Sequence, residues 1–351
     1  MQRRSPVSDL AEQIGTRFQR RCDPPPPKAE GLVGVISTGS TLLDLAISGQ
    51  RFDFGGIPGG LLVEIFGPPG AGKTVLLCEL AGNVQRLGGD VMFRDPEGRL
   101  NAQFAKLFDF RVENADYSMP NTVSELFDPI TKWEPQSGGA INGVFADSLA
   151  ALSTKMELED SDKYGMRRAK EFSEQCRKVC RLFPQRNILM VCSNQIRQNP
   201  DARPFQEKFV TPGGEAFKFY SSVRLRCHSP LKMTRERNVG SSKQKRVHGV
   251  ETVVEVYKNS VSEPHKSAMV FIDFTYGIDD IRGNLEYLKS SLGLSHYNVL
   301  GDEIRLGATI ERAIPEIEGG DLQARLKRRT IEIWHEVENR FKVERRPKVR
   351  D

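Results

Sequence analysis

Short apolar runs alternate with amphipathic stretches over most of this chain. The apolar runs are of the kind found in strands buried on both faces, and they lie at residues 61–66, 91–93, 144–146 and 188–192. Residues 73–87 and about 166–183 have helical spacing instead. Such alternation predicts an α/β fold, with a mainly parallel sheet covered by helices.

Three later apolar runs, at residues 223–227, 252–257 and 268–272, have no long helical stretches between them. We expect them to extend the sheet with antiparallel strands, because antiparallel neighbours need only short connections. Residues 232–248 are polar and basic, with a Gly-Ser-Ser sequence at their centre. This composition predicts an exposed hairpin or loop.

The two ends of the chain differ from the middle. Residues 8–21 predict a short amphipathic helix, and the four prolines at 24–27 then form a stiff linker. A helix on such a linker cannot bury its apolar stripe on itself, so it docks on its own body or on another subunit. Residues 284–351 are largely helical, and from Asp321 onward they contain ten Lys or Arg against six Asp or Glu, ending in a basic tail. These changes divide the chain into residues 1–30, 31–283 and 284–351.

Composition narrows the class of protein. An apolar fraction of 38% in 351 residues supports a packed interior. No run approaches the roughly 18 apolar residues that a membrane span needs, and the N-terminus lacks the apolar region of a secretory signal. The net charge of +5 permits a nucleic-acid partner without requiring one. None of the six cysteines forms a CxxC pair, so we expect buried, reduced thiols in a cytoplasmic protein.

A phosphate-binding loop is the sharpest signal. Residues 67–74 match G-x-x-x-x-G-K-[ST] between a predicted strand and a predicted helix, so a chance glycine-rich turn is a poor explanation. The prolines lack an N–H and shape the loop, whereas the following amides point at phosphate oxygens from a helix N-terminus. The lysine adds a cation for the β- and γ-phosphates, and the threonine hydroxyl can bind Mg²⁺. The predicted ATP-binding loop consists of Gly67, Pro68, Pro69, Gly70, Ala71, Gly72, Lys73 and Thr74.

Acidic residues follow two of the predicted strands. Asp147 closes the run at 144–146, at the carboxyl edge where ligands bind in parallel sheets, and its natural role is to hold Mg²⁺ through water. The alternative is a helix cap. Glu97 follows the run at 91–93 and is our candidate for orienting the water that attacks the γ-phosphate, with Asp95 as its rival. The alternative for Glu97 is a surface residue in a Pro-Glu-Gly turn.

An amide pair ends the next strand. Gln195, which follows Asn194, can sense the γ-phosphate through a hydrogen bond and pass that signal to the loop after it. The alternative is an ordinary amide at a strand end.

These motifs, in this order, resemble the bacterial RecA recombinase family, including divergent or phage-type members, over about residues 36–294. The segments that carry the resemblance are ISTGSTLLDLAISG (36–49), GIPGGLLVEIFGPPGAGKT (56–74), FRDPEG (93–98), ADSLAAL (146–152), SNQIR (193–197), PGGEAFKFYSSVRL (212–225) and VYKN (256–259). The resemblance implies a RecA-type P-loop ATPase core with an antiparallel extension, an N-terminal polymerisation helix and a small C-terminal domain. It also implies an ATP- and Mg²⁺-dependent strand-exchange protein that polymerises on single-stranded DNA.

The resemblance assigns further roles residue by residue. Asn101 and Phe104 match positions that contact adenine, and Lys258 matches a lysine that reaches the ATP of the neighbouring subunit. The family has a second such lysine where this chain has Ser260, so the coupling of ATP across the interface is expected to differ. The catalytic set that the resemblance implies is Glu97, Lys73, Gln195 and Lys258, with Thr74 and Asp147 at the metal.

Two segments match the DNA-facing loops of the family, at about residues 157–168 and 197–213. Their cations can neutralise phosphates, Tyr164, Phe205 or Phe209 can stack against bases, and the Gly-Gly pair offers amides to a phosphate. Solvated loop charges are the alternative for any single arginine. The DNA-binding set is Tyr164, Gly165, Met166, Arg167, Arg168, Arg197, Arg203, Lys208, Gly213 and Gly214.

The partners implied are single-stranded DNA, double-stranded DNA and further copies of the chain, and no membrane. An SOS-type repressor partner does not follow from the sequence. Two other functions fit the same motifs: a hexameric helicase or motor of the RecA fold, and a DNA-coating mediator with a vestigial ATP site. Where the family often has an acidic tail, the basic tail here would attract duplex DNA.

Overall fold

A mixed ten-stranded sheet forms the centre of the computed structural model, which describes residues 34–154, 166–198, 209–211, 215–301, 304–343 and 345. The strands of the described chain are β1 (Val35–Ile36), β2 (Ile57–Pro58), β3 (Leu62–Gly67), β4 (Val91–Arg94), β5 (Asp116–Ser118), β6 (Asn142–Ala146), β7 (Ile188–Gln195), β8 (Arg197–Gln198), β9 (Phe209–Val210), β10 (Val223–Cys227), β11 (Leu231–Val239), β12 (Ser242–Asn259), β13 (Ser267–Asp273) and β14 (Gly277–Ile278). The sheet has the order β14-β13-β12-β10-β3-β7-β6-β4-β5, with β11 paired to β12.

Helices cover both faces of this sheet and continue into the C-terminal part. They are α1 (Thr41–Ser48), α2 (Lys73–Arg86), α3 (Ala102–Lys106), α4 (Val123–Lys132), α5 (Met166–Val179), α6 (Phe183–Arg186), α7 (Glu215–Tyr220), α8 (Asp280–Ser291), α9 (Ile310–Ile317) and α10 (Asp321–Phe341). No helix among the described residues is both long enough and apolar enough to cross a bilayer.

The six strands from β10 to β5 in the sheet order are all parallel to their neighbours. Every residue of β3, β4 and β6 is buried, which confirms the strands predicted from consecutive apolar positions. Because these strands are parallel, their carboxyl ends meet at one edge of the sheet. The turns after β3, β4, β6 and β7 therefore lie side by side.

The other half of the sheet is antiparallel: β12 pairs with β10, β11 and β13, and β13 pairs with β14. The prediction of antiparallel strands is confirmed for β12 and β13 and holds on one side only for β10, which is antiparallel to β12 but pairs in parallel with β3 through Val223 and Val63. The connection before β10 contains the short helix α7, and such a crossover returns the chain in the same direction. Six residues are too few for helical spacing to reveal this in the sequence.

Two apolar layers hold the sheet between its helices. On one face the α2 side chains pack against β3, β4 and β6, with Leu76 and Phe93 fully buried. On the other face the Phe172 ring of α5 lies 6.2 Å from Phe127 of α4 and 5.3 Å from Phe217 of α7. Edge-to-face packing of this kind adds stability beyond the buried area.

Helices α8, α9 and α10 build a third apolar cluster at the C-terminal end, around Leu285, Ile317 and Leu326. The predicted helical character of this part is confirmed. Helix α10 also packs on α1, where Trp334 contacts Leu45. The predicted helix at residues 8–21, its linker and the final residues 346–351 lie outside the described residues.

The cysteines of the described chain are free thiols, as the sequence predicts. Four of the five are buried. Burial raises the pKa of the Cys227 thiol and that of Cys180 to about 12, so neither is a reactive thiolate at neutral pH.

Candidate functional site

The phosphate loop, residues 67–74, connects β3 to α2 at the carboxyl edge of the sheet. Gly72 caps α2 with φ +84°, and a Cβ at this position would lie 2.3 Å from the Ile272 side chain, so only glycine fits. The cap has no side-chain hydrogen bond, which leaves the first amides of α2 available to an anion. The local sequence therefore builds a cradle of the size and polarity that phosphate requires.

Lys73 lies at the mouth of this loop. Its Nζ donates hydrogen bonds to the carbonyl oxygens of Pro68, at 2.7 Å, and Gly67, at 3.1 Å. Burial lowers the pKa of the Lys73 ammonium, while the carboxylates of Asp147 and Glu97 act in the opposite direction. A partly desolvated cation in this position attracts phosphate more strongly than an exposed one.

Thr74 and Asp147 meet across the edge of the sheet. The Thr74 hydroxyl donates to Asp147 Oδ2 at 2.8 Å, and the Ser193 hydroxyl donates to Asp147 Oδ1 at 2.5 Å. Burial raises the pKa of the Asp147 carboxyl, and these two hydrogen bonds lower it. The donors therefore hold a carboxylate and a hydroxyl together, oxygen groups that suit Mg²⁺ with water and phosphate as further ligands. The described residues contain no cluster of three or more His, Cys, Asp or Glu side chains that could hold a metal ion.

Glu97 belongs to the same hydrogen-bonded chain. The Ser148 hydroxyl donates to Glu97 Oε1 at 2.5 Å, and the Ser148 amide donates to Ser193 Oγ at 2.7 Å. Gln195 Nε2 lies 3.5 Å from the same Glu97 oxygen, and Arg99 pairs with Glu97 Oε2 at 2.9 Å. The carboxylate is thus directed by groups at the ends of two strands, β6 and β7, and by Arg99 two positions after it.

Asp95, the rival of Glu97, has a different environment. It is buried, and its Oδ2 accepts hydrogen bonds from the Tyr117 hydroxyl, at 3.0 Å, and the Leu100 amide, at 2.8 Å. These contacts brace the turn that carries Glu97.

A cavity of about 470 Å³ opens beside the phosphate loop. Phe104 lines it, and its ring packs edge-to-face on Phe108 with centroids 5.1 Å apart; the contact of Phe104 with adenine stays a prediction. Asn101 is not among the lining residues, because its side chain caps α3 by accepting from the Gln103 amide. The remaining wall includes Leu107, Val250, Ile272, Asp273 and Phe274.

The end of β7 is fixed by a buried ionic network. Glu64 of β3 accepts from Arg224 Nε of β10 at 2.6 Å and from the side-chain Nδ2 of Asn194 in β7 at 3.0 Å. The Arg224 guanidinium also lies 4.4 Å from the centre of the Phe66 ring. Asn194 Oδ1 in turn accepts from the Gln195 backbone amide, so the network sets where Gln195 leaves the sheet.

Lys258 is a predicted site residue that the structure does not bring to the phosphate loop. It lies on β12, and its Nζ donates to the carbonyl oxygens of Lys218, at 2.8 Å, and Phe219, at 3.0 Å, at the end of α7. Burial lowers the pKa of this ammonium.

Of the predicted DNA-binding set, Arg168 donates to the Leu152 carbonyl oxygen at 3.1 Å. Met166 and Arg167 begin α5, and Arg197 begins β8. Both predicted loops continue beyond the described part of the chain, which does not include Tyr164, Gly165, Arg203, Lys208, Gly213 and Gly214.

Sequence reasoning did not single out Ser148 and Ser193, which connect Asp147 to Glu97. Ser148 directly follows Asp147, and Ser193 lies two positions before Gln195, so proximity to strand ends was the available signal. No local sequence pattern indicated that β12 and β13 form part of the cavity wall. It comes from strands far along the chain that only the sheet order brings near the phosphate loop.

A strand–loop–helix phosphate cradle, with a hydroxyl paired to a partly buried aspartate, is typical of the nucleotide-binding site of P-loop proteins. The family model described as RecA N-terminal domain matches residues 27–279. The Protein RecA of Rickettsia canadensis (strain McKiel) is 34% identical over 284 residues, covering 78% of this chain and 77% of that protein. The Protein RecA of Rickettsia prowazekii (strain Madrid E) matches with the same identity and coverage.

The chain therefore belongs to the RecA family. Membership supports roles in recombination and repair, with binding of ATP and DNA, and confirms the resemblance found in the sequence. The α/β sheet with its antiparallel extension agrees with a RecA-type core.

Proposed function

We propose that this protein is an ATP-dependent homologous recombination protein. It forms filaments on single-stranded DNA in the cytoplasm, pairs that strand with homologous duplex and catalyses strand exchange. Its ATP hydrolysis, with Mg²⁺ as cofactor, is stimulated by DNA. Residues 1–30 serve polymerisation, residues 31–283 bind ATP and DNA, and residues 284–351 form a C-terminal domain.

One observation carries the proposal: an unbroken chain of hydrogen bonds that runs from the phosphate loop to the end of β7. It passes from Thr74 through Asp147, Ser193 and Ser148 to Glu97, which Gln195 approaches to 3.5 Å. The polypeptide continues from Gln195 directly into the segment that the family resemblance assigns to DNA. A structural change in the phosphate loop can therefore be transmitted through a few hydrogen bonds to the DNA-facing segment.

The residues have separate tasks in this proposal. The amides of the phosphate loop and Lys73 bind the phosphates, Phe104 contacts the adenine, and Thr74 and Asp147 hold Mg²⁺. Bound Mg²⁺ supplies charge neutralisation at the phosphates. Glu97 orients and polarises the attacking water, and Gln195 senses the γ-phosphate. Asn101 approaches the base only if it leaves its capping position on α3.

The DNA and filament contacts complete the assignment. The cations Arg167, Arg168, Arg197, Arg203 and Lys208 neutralise phosphates, so the protein holds the backbone and base pairing tests homology. Lys258 acts on the ATP of the adjacent subunit. Its position on β12, outside the phosphate loop of its own chain, supports this role in trans.

D-loop formation tests the proposal. Purified protein is mixed with supercoiled duplex and either homologous or heterologous single strands, with and without ATP, and with Lys73→Ala as a control. We expect D-loops only with homologous strands, ATP and the native chain. Electron microscopy with an ATP analogue and single-stranded DNA should show helical filaments. Closed rings would identify a hexameric motor, and pairing without ATP would identify a DNA-coating mediator; either result overturns the proposal.

A further inference from the structure

The two carboxylate oxygens of Glu97 have different partners. Oε1 accepts from the Ser148 hydroxyl and lies 3.5 Å from Gln195 Nε2, so groups from the ends of two strands meet there. Oε2 lies 2.9 Å from Nη1 of Arg99, which belongs to the same turn as Glu97. The structure thus places a guanidinium directly against the carboxylate that we assign to the attacking water, and the tasks proposed so far do not use it.

The backbone on both sides of Arg99 is fixed to a buried residue. The Gly98 amide donates to the Asp95 carbonyl oxygen at 3.1 Å, and the Leu100 amide donates to Asp95 Oδ2 at 2.8 Å. The Asp95 amide in turn donates to the Ser118 carbonyl oxygen of β5 at 2.9 Å. The Arg99 side chain therefore leaves the turn from a defined position, although the turn lies at the surface.

The Arg99 side chain itself is largely free. It is 80% exposed, whereas that of Glu97 is 20% exposed. An ion pair with one exposed partner contributes little to stability, so stability gives a poor explanation for it. Within the described part of the chain, the guanidinium has no other ion pair or hydrogen bond. Four of its five N–H donors therefore remain for a ligand.

A donor on this carboxylate is close to the proposed reaction. A base lies within about 2.6–3.2 Å of the water that it activates, and reacting atoms approach to about 3–3.5 Å. Water activated by Glu97 therefore brings the γ-phosphate within reach of the long Arg99 side chain. A small rotation of that side chain is enough, because its backbone is already held beside Glu97.

The chemistry of the reaction calls for such a cation. During phosphoryl transfer, negative charge spreads over the three equatorial oxygens of the γ-phosphoryl group, and an arginine stabilises it. The neighbouring Arg94 is buried and already paired with Asp116 at 2.8 Å, so it is not available. Arg99 is the arginine of this turn that is left for a phosphate. Its planar guanidinium can bind two phosphate oxygens at once, which the ammonium of Lys73 cannot.

We propose that Arg99 is a catalytic residue of ATP hydrolysis: one nitrogen stays on Glu97, while the others bind the γ-phosphoryl oxygens of the ATP held by the same subunit. The inference rests on the proposed function and adds a cation to its ATP site. In this step the water oxygen bonds to the γ-phosphorus and the bond to the bridging oxygen breaks, so that ADP leaves with that electron pair. Glu97 takes the proton of the water, which then passes to the released phosphate.

Binding of a transition-state analogue tests Arg99. ADP with aluminium fluoride mimics the γ-phosphoryl group in transfer, and its affinity is compared with that of ADP alone and of a non-hydrolysable ATP analogue, all with Mg²⁺. The variants are Arg99→Ala and Arg99→Lys. The matched control is Arg340→Ala, which removes a similarly exposed arginine, 76% accessible, from its ion pair with Glu336 on α10. Single-turnover hydrolysis and circular dichroism are measured for each protein.

The native chain and the control should bind ADP far more tightly when aluminium fluoride is present. Arg99→Ala should bind ADP and the ATP analogue normally, lose about 100-fold in affinity for the transition-state analogue, and hydrolyse ATP about 100-fold more slowly. Arg99→Lys should recover about a tenth of the native rate, since it keeps the charge and loses the fork.

Mixed filaments test whether Arg99 acts within its own subunit. Arg99→Ala and Glu97→Gln proteins should each be inactive, and an equal mixture should be inactive too, because both groups serve the same ATP. Recovery of hydrolysis in the mixture would overturn the assignment to one subunit.

Native rate and native analogue affinity in Arg99→Ala would overturn the inference, as would a native chain that gains nothing from aluminium fluoride. An equal loss of affinity for ADP and for the transition-state analogue would also overturn it, since that result describes a residue that only shapes the turn. Failure of the proposed function is a separate result. It appears as absent D-loop formation by the native chain, whatever Arg99 contributes to analogue binding.

Discussion

The Ser148 hydroxyl donates a 2.5 Å hydrogen bond to Glu97 Oε1 from a residue with left-handed backbone angles, φ +68° and ψ +71°. A non-glycine residue in this region carries a conformational cost. The strained backbone places the Ser148 amide on Ser193 and its hydroxyl on Glu97 at the same time. Ser148 is thus a positioning residue for the proposed catalytic carboxylate.

Replacing Ser148 separates its two contributions. Ser148→Ala and Ser148→Gly both lose the hydroxyl, so each should lower the kcat of DNA-stimulated ATP hydrolysis about 10-fold, with little change in nucleotide affinity. Only the alanine variant keeps the unfavourable backbone angle, and it should unfold about 1 kcal/mol more easily than the glycine variant. Steady-state kinetics of both Ser148 variants measures kcat, and denaturant unfolding measures the difference in their stability. Native kcat in both variants would exclude this role.

Glu97 and Asp95 should respond differently to removal of charge. Glu97→Gln should bind ATP and DNA but hydrolyse ATP at least 100-fold more slowly, because an amide cannot act as the base. Asp95→Asn should mainly lower the melting temperature, since Asp95 accepts from Tyr117 and Leu100 inside the turn. Measuring both single-turnover ATP hydrolysis and thermal unfolding for each variant distinguishes the two roles. Normal turnover in Glu97→Gln would show that the assignment is wrong.

The Thr74 hydroxyl should set the Mg²⁺ requirement. Thr74→Val keeps the shape of the side chain and removes the oxygen that meets Asp147, so half-maximal ATP hydrolysis should need about 10-fold more Mg²⁺. Thr74→Ser keeps the hydroxyl and should behave as the native chain. Titration of Mg²⁺ at saturating ATP measures the shift. Equal requirements in all three proteins would place the metal elsewhere.

Lys258 should act in trans, which mixed filaments can reveal. Lys258→Ala and Glu97→Gln proteins should each be inactive alone as DNA-stimulated ATPases. Mixed in equal amounts, they should recover about a quarter of the native rate, the fraction of head-to-tail interfaces that pair an intact Glu97 with an intact Lys258. A mixture as inactive as its parts would mean that Lys258 serves its own subunit.

The carboxyl groups of Asp44 and Glu79, which lie outside the phosphate site, should make the stability of the protein depend on pH. Burial raises the pKa of Asp44 from 3.8 to about 6 and that of Glu79 from 4.5 to about 7. The unfolded chain releases these protons near pH 4, whereas the folded chain keeps them until pH 6–7. The free energy of unfolding should therefore fall as pH rises from about 4 to 7, and then level off.

Glu79→Gln removes one of these ionisations. The variant should melt about 2–4 °C above the native chain at pH 8 and show little difference at pH 4. Glu113→Gln, at an exposed position, should leave the melting temperature unchanged at both pH values. Calorimetry at the two pH values measures the effect, and an equal shift at both would contradict the ionisation as its cause.

The parallel half of the sheet was predictable because burial on both faces leaves consecutive apolar positions in β3, β4, β6 and β7. The phosphate loop was predictable because its glycines and lysine are adjacent in sequence. The direction of β10 was not, since it depends on a helix of six residues. Asn101 caps α3 through its side chain, as an asparagine before a helix commonly does, and its contact with adenine stays a prediction.

The antiparallel half of the sheet shows why the length of a strand is harder to predict than its presence. Residues 232–248 were expected to be an exposed hairpin or loop, and they form the end of a hairpin whose second strand runs over 18 residues. Alternation in β12 is weak at its exposed end, where charged side chains occupy both faces. Pairing with β11 extends it, and such pairing leaves no periodic apolar signal.

Strand β12 spans 18 residues, or about 60 Å at 3.3 Å per residue, and its register with its neighbours shifts at His248 and Tyr257. Val250 of this strand lines the cavity beside the phosphate loop, and Lys258 lies near its end, where it donates to the Lys218 carbonyl oxygen of α7. Under the proposed function, this one strand therefore joins the wall of one nucleotide cavity to the lysine that reaches the nucleotide of the neighbouring subunit. A shift of that cavity wall would displace the lysine as well, so that successive sites along the proposed polymer would be coupled through the backbone of one strand.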